Sequence, residues 1–175
     1  MSRISRAAFA AAAAVTAVAV AASPAAAWVG GPVSAVADAP IEIQMGTYPL
    51  VTCPFSSLNG TITASGGLNL TTATFNACTF SGPPPVTVTA YYLPWSGSLS
   101  GGSATLNVPR LALLIDVGKP VLCIYYGSLA GTYTGTASPL TVSFSGTLNK
   151  TATSPFLCSS TVTFSSRYVF AGAGL

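Results

Sequence analysis

The chain has 175 residues, with 6 Lys or Arg, 3 Asp or Glu and no His, and this inventory excludes more than it allows. The cations outside the first ten residues, Arg110, Lys119, Lys150 and Arg167, are too scattered to neutralise a run of phosphates, so no nucleic-acid partner is expected. A Ser or Cys nucleophile would lack the His base it usually needs, and only Asp38, Glu42 and Asp116 are available for paired-carboxylate chemistry, so an enzyme is not expected and no cofactor is implied.

The first 27 residues read as a cleaved secretory signal. Arg3 and Arg6 form a basic start, residues 7–22 are an unbroken run of Ala, Val, Phe and one Thr, and the small residues of Ser23-Pro24-Ala25-Ala26-Ala27 place cleavage after Ala27. The product is then expected to be secreted and extracellular, with no membrane insertion after cleavage. Its low charge favours self-association. Residues 28–40, rich in Gly, Pro and Ala without periodicity, read as a loose N-terminal arm, and residues 41–175 as a single all-β domain.

Along that domain, Ile41, Ile43 and Met45 alternate with polar residues as a half-buried strand. Residues 57–63 form the next, with Asn59-Gly60 as a turn or a bulge, and residues 68–75 a Thr-rich third. Gly82-Pro83-Pro84-Pro85 cannot pair as a central strand and reads as a crossover. Val86, Val88, Ala90 and Tyr92 then alternate with Thr87, Thr89 and Tyr91, which places Tyr92 in the core and Tyr91 outside. Pro94-Trp95 ends this strand.

Residues 110–126 are the expected centre. Two apolar runs flank the turn signal Asp116-Val117-Gly118-Lys119-Pro120. Because they are apolar on both faces, a central hairpin covered on both faces follows. Asp116 is a turn residue on this reading. Further strands are expected at 128–134, at 140–145, around Val162 and Phe164, and at 168–170, with a turn at Asn149-Lys150. About ten strands and frequent turns give an antiparallel β-sandwich or small barrel with two disulfides.

The four cysteines, Cys53, Cys78, Cys123 and Cys158, suit an oxidising compartment. They lie too far apart for a zinc site, so no metal is expected. Three pairings are open. A faint internal repeat favours one of them: Cys53 is followed by Ser57-Leu58-Asn59-Gly60-Thr61-Ile62-Thr63, and Cys123 by Ser128-Leu129-Ala130-Gly131-Thr132-Tyr133-Thr134. If the halves correspond, the bridges are Cys53–Cys78 and Cys123–Cys158.

The aromatics Tyr91, Trp95, Tyr125 and Tyr126 sit at strand ends or beside turns and are the candidate ligand-binding residues, for stacking on sugar rings or an apolar ligand. Packing is the favoured reading for the group, because neighbours in a strand point to opposite faces and about half of each Tyr pair then faces the core.

The Ala-rich leader, Cys53-Pro54, Leu58-Asn59-Gly60-Thr61, Ala73-Thr74-Phe75-Asn76-Ala77-Cys78, Leu93-Pro94-Trp95 and Leu157-Cys158 together resemble a group of small secreted actinobacterial all-β proteins. The resemblance implies a bacterial source, an extracellular compartment and an all-β fold, and no particular activity. Two other secreted families are similar in part. Actinobacterial apo-chromoproteins share the two-disulfide β-fold and imply an apolar small-molecule carrier, though their bridges close shorter loops. Subtilisin-inhibitor-like proteins share a Cys-Pro dipeptide and imply a protease inhibitor presenting Cys53-Pro54-Phe55, though the helices of that family have no counterpart here. The leading expectation is a secreted, non-catalytic binding or cell-envelope-associated module.

Overall fold

The structure, a computed structural model, describes residues 28–116 and 118–175; the signal reading of residues 1–27 lies outside the described residues. Twelve strands follow one another: β1 (Gly31–Ala37), β2 (Ile41–Gln44), β3 (Val51–Cys53), β4 (Phe55–Ile62), β5 (Gly67–Asn76), β6 (Thr79–Phe80), β7 (Gly82–Tyr91), β8 (Trp95–Ser100), β9 (Ser103–Asp116), β10 (Pro120–Thr134), β11 (Leu140–Lys150) and β12 (Thr161–Ala171). All pairings are antiparallel. The order β1-β4-β5-β8-β9-β10-β11-β12 closes on itself through β1–β12, giving an eight-stranded barrel. Full closure removes the sheet edges that a sandwich of such low charge would leave open to another chain.

The remaining four strands make a second path between the same two long strands. Along one edge β12 pairs first with β2, at Phe164↔Ile43, and later with β1, at Phe170↔Ala35. Along one edge β9 pairs first with β8, at Leu106↔Gly97, and later with β7, at Leu113↔Val88. The chain β12-β2-β3-β6-β7-β9 therefore builds out one end of the barrel. The expectation of about ten strands in a sandwich or small barrel becomes an eight-stranded closed barrel with four further strands, twelve in all.

The central hairpin is present and longer than its apolar runs. It is β9–β10, paired from Asp116↔Pro120 to Ser103↔Thr132 with one irregularity between Tyr125 and Gly127. The Gly118 amide donates to Asp116 Oδ1 at 3.1 Å, which makes Asp116 a turn residue. Leu111, Leu113, Cys123 and Tyr125 face inward and are buried. The outer face is not covered throughout, contrary to expectation: Leu114 and Leu122, paired across the hairpin near its tip, are each 40% exposed.

Other expectations change as well. The loose arm contains β1, which lies between β4 and β12 and buries Val33 and Ala35. Its Gly, Pro and Ala content hid the alternation. The proline segment opens β7 instead of crossing over, and its only partner at that end is the two-residue β6, an edge-like position that tolerates the lost donors. Trp95 starts a strand, β8, instead of ending one. The two last strands are one, β12, and β11 continues through Asn149 to Lys150.

The bridges are Cys53–Cys78 and Cys123–Cys158, as the repeat favours, and their presence is consistent with an oxidising compartment. The repeat also has a local basis. Gly60 lies at a bulge in β4–β5 and Gly131 in β10. A Cβ at either would collide with a carbonyl of the neighbouring strand, that of Asn69 or that of Ser143. Each copy thus needs glycine where two strands approach closely.

Candidate ligand-binding site

The two ends of the barrel differ. At one end Trp28 acts as a plug: it is buried, its Nε1 donates to the Leu99 carbonyl at 3.2 Å, and its ring meets Tyr133 edge to face at 5.7 Å. The other end, where β2, β3, β6 and β7 build out the wall, holds a pocket of about 240 Å³. Its lining comes from separate parts of the chain: Met45, Tyr48 and Pro49 after β2, Phe80 on β6, Ile115 and Val121 either side of the hairpin tip, and Leu157, Ser159 and the Cys123–Cys158 bridge.

Local chemistry explains how these meet. Ile115 and Val121 are a cross-strand pair facing inward just behind the tip. The segment after β11 leaves the sheet and runs back along β10: the Thr151 amide donates to the Ile124 carbonyl at 2.9 Å, and Ser154 Oγ accepts from the Ile124 amide at 2.8 Å. The bridge from Cys158 to Cys123 then fixes this segment as one wall. On the opposite side Tyr48 Oη donates to the Leu157 carbonyl at 3.2 Å, tying the rim together. Leu157 is half-exposed, and Phe156 before it is 89% exposed.

Tyr125 lies behind the pocket. It is fully buried, and its hydroxyl approaches Met45 Sδ at 4.0 Å. Burial first, and the nearby Tyr48 phenol second, push its pKa up to about 12. Tyr168, buried in the barrel with its hydroxyl 2.7 Å from Ser56 Oγ, is raised further by burial, partly offset by that hydrogen bond. Both phenols must stay protonated in the folded state. The folded protein therefore holds protons that the unfolded chain releases above pH 10, and stability falls as pH rises from there toward the folded values. The expected loss is roughly 2–3 kcal/mol from Tyr125 alone by pH 12. Urea midpoints from pH 8 to 11.5, on rapidly mixed samples to limit base damage to the bridges, check this. Tyr125→Phe should flatten the decline.

No family model, curated protein or solved structure matches the chain. The site is therefore read from its own chemistry. That chemistry is apolar: aliphatic, aromatic and sulfur side chains, with hydroxyls only at Tyr48 and Ser159.

The four aromatics singled out from the sequence do not form one site. Trp95 and Tyr125 are interior residues. Tyr91 and Tyr126 are exposed on the outer wall. Tyr92, expected in the core, is 64% exposed because β7 ends at Tyr91 and Tyr92 turns into the left-handed region at φ 55°. Phe55 is exposed, but it pairs with Asn76 as the first residue of β4, and Cys53 before it is buried and paired with Ile41. Cys53-Pro54-Phe55 is thus a strand-to-strand step and not a projecting loop. The pocket residues themselves escaped sequence reading. The only local signal was Phe156-Leu157, two large apolar side chains in a segment with no strand pattern.

Proposed function

We propose that this is a secreted, non-catalytic binding protein that holds a small apolar molecule in the pocket at the open end of the barrel. The observation that carries this reading is the pocket itself, a cavity of about 240 Å³ with apolar walls, braced by a disulfide and rimmed by exposed apolar side chains. Empty apolar cavities of about 150 Å³ accept benzene, so this volume suits one or two rings or a short branched chain. The sidedness of the wall supports a water-soluble carrier: β11 and β12 put Leu140, Val142, Phe144, Phe164 and Phe170 inside and mostly Thr, Ser and Asn outside. A membrane barrel shows the opposite arrangement.

The test uses a neutral two-ring naphthylamine probe, 6-propionyl-2-dimethylaminonaphthalene. Its fluorescence should rise saturably with one site per chain. Val121→Phe, which fills the pocket from β10, should weaken binding at least tenfold, a cost of about 1.4 kcal/mol, while leaving the thermal midpoint unchanged or higher. No saturable signal, or a signal indifferent to Val121→Phe, would rule out this pocket as the site. Native mass spectrometry of protein from its own secreting culture would show whether a ligand is retained.

A further inference from the structure

A second site lies on the outer wall, away from the pocket. Four strands bring Tyr91 on β7, Arg110 on β9, Tyr126 on β10 and Asn149 on β11 into one row. Tyr91 pairs with Arg110, and Tyr126 pairs with Asn149. Between them the β9–β10 ladder is irregular: Leu111 faces Tyr125 and Val108 faces Gly127, so Pro109 and Arg110 together face Tyr126. Bulges of this kind re-aim side chains. Here the bulge sets Tyr126 beside Arg110 on the outside of the barrel, and both tyrosines are about half exposed. At about 4.8 Å per strand, their backbones lie about 10 Å apart with Arg110 between them.

The row is held in place. The guanidinium carbon of Arg110 sits 4.5 Å from the centroid of the Tyr92 ring. That contact exists because Tyr92 adopts a positive φ, which non-glycine residues avoid unless the surroundings enforce it. The buried Trp95 holds the peptide just before Tyr92: its Nε1 donates to the Tyr91 carbonyl at 3.1 Å. This contact holds the Arg110 guanidinium over the ring, and the ion pair among the described residues, Asp38–Arg167, does not involve it. Beyond Val108 and Gly127, the next outward pair is Asn107↔Ser128, both exposed.

We propose that this face binds a carbohydrate chain. A sugar ring has an apolar C–H face and a rim of hydroxyls. Tyr91 and Tyr126 offer two aromatic faces spaced along a strand-to-strand row, suited to alternate sugars of an extended chain. Arg110, Asn149, Asn107 and Ser128 supply fixed or short polar groups for the hydroxyls. Tyr and Arg are also enriched at protein-docking faces, and that occupant is the outcome in which the tyrosine variants change only the oligomeric size.

The test is isothermal titration with linear hexasaccharides of β-1,4-glucose, β-1,4-N-acetylglucosamine, β-1,3-glucose, α-1,4-glucose and α-1,4-galacturonate. At least one should bind saturably. Tyr91→Ala and Tyr126→Ala should each weaken it about three- to tenfold, the scale of one lost stacking contact. Arg110→Lys, which keeps the charge and loses the fork, should also weaken it, and Val36→Ser, an exposed apolar change on β1, should not. Thermal midpoints and naphthylamine binding should stay as in the parent for the two tyrosine variants, which separates this site from the pocket. The proposal is overturned if no glycan of the panel binds saturably, if binding is indifferent to both tyrosines, or if those variants change only the oligomeric size.

Discussion

Replacing Trp95 with alanine is expected to cost about 3–5 kcal/mol, the range for emptying a large aromatic from a packed interior. The side chain is 1% exposed and packs against Phe75 at 6.4 Å between centroids. Phe75 in turn meets Phe164 edge to face at 6.4 Å. Trp95 thus links β8 to β5 and, through Phe75, to β12 on the far side of the barrel. The close packing of such interiors leaves little to collapse into the space. A second loss adds to the first, because the indole N–H satisfies the Tyr91 carbonyl. Trp95→Phe should separate the two, retaining most of the packing and losing the hydrogen bond at about 1–2 kcal/mol. Urea unfolding under non-oxidising, non-reducing conditions measures both. A loss below about 1 kcal/mol for Trp95→Ala would mean that this ring is not central to the core. Tyr126→Ala, at an exposed position on the same wall, is expected to stay within about 0.5 kcal/mol of the parent.

The contrast between Trp95 and Tyr126 shows what was legible in the sequence. Strand character was legible wherever alternation was clean, as at Val86-Thr87-Val88 and Leu140-Thr141-Val142, because a period of two maps directly onto inside and outside. The central hairpin was legible from its turn residues. The disulfides were legible from a repeat whose glycines each admit a close strand neighbour. Closure into a barrel was not, because it depends on β1 pairing with β12 across more than a hundred residues, and β1 is made of side chains too small to leave a pattern. The site was less legible still. Alternation predicted Tyr92 to be inside, but the strand stops one residue earlier, and after a strand ends parity carries no information. Trp95 and Tyr125 look like ligand platforms by composition. Only the three-dimensional packing places them inside, Trp95 donating to the Tyr91 carbonyl and Tyr125 set behind Met45. The pocket draws its walls from residues 45, 48, 49, 80, 115, 121, 123 and 157–159, and no local pattern announces such a convergence.

Removing either disulfide is expected to destabilise the protein by a similar amount, while only one removal should weaken binding of the apolar probe. Cys53–Cys78 spans 25 residues and Cys123–Cys158 spans 35. In the loop-entropy account each contributes about 3–4 kcal/mol, since the dependence on loop length is logarithmic. The double variants Cys53→Ser/Cys78→Ser and Cys123→Ser/Cys158→Ser should therefore lie close together in urea midpoint. Their pockets should not behave alike. Cys123–Cys158 is itself part of the pocket wall, and it tethers the segment that carries Leu157 and Ser159. Without it that wall is held by the Ile124 contacts of Thr151 and Ser154, by Lys150, whose amide donates to the Ser160 carbonyl and whose Nζ donates to the Pro155 carbonyl, and by the hydrogen bond from Tyr48, none of which crosses to β10 at Cys123. An apolar pocket whose wall moves away admits water and loses the burial that drives binding. Naphthylamine affinity should fall at least tenfold in that variant and stay near the parent value when Cys53–Cys78 is removed, measured at temperatures where both proteins remain folded. Equal loss in the two would show that binding follows global stability and not this wall. Retention in both would place the apolar ligand somewhere other than the open end of the barrel.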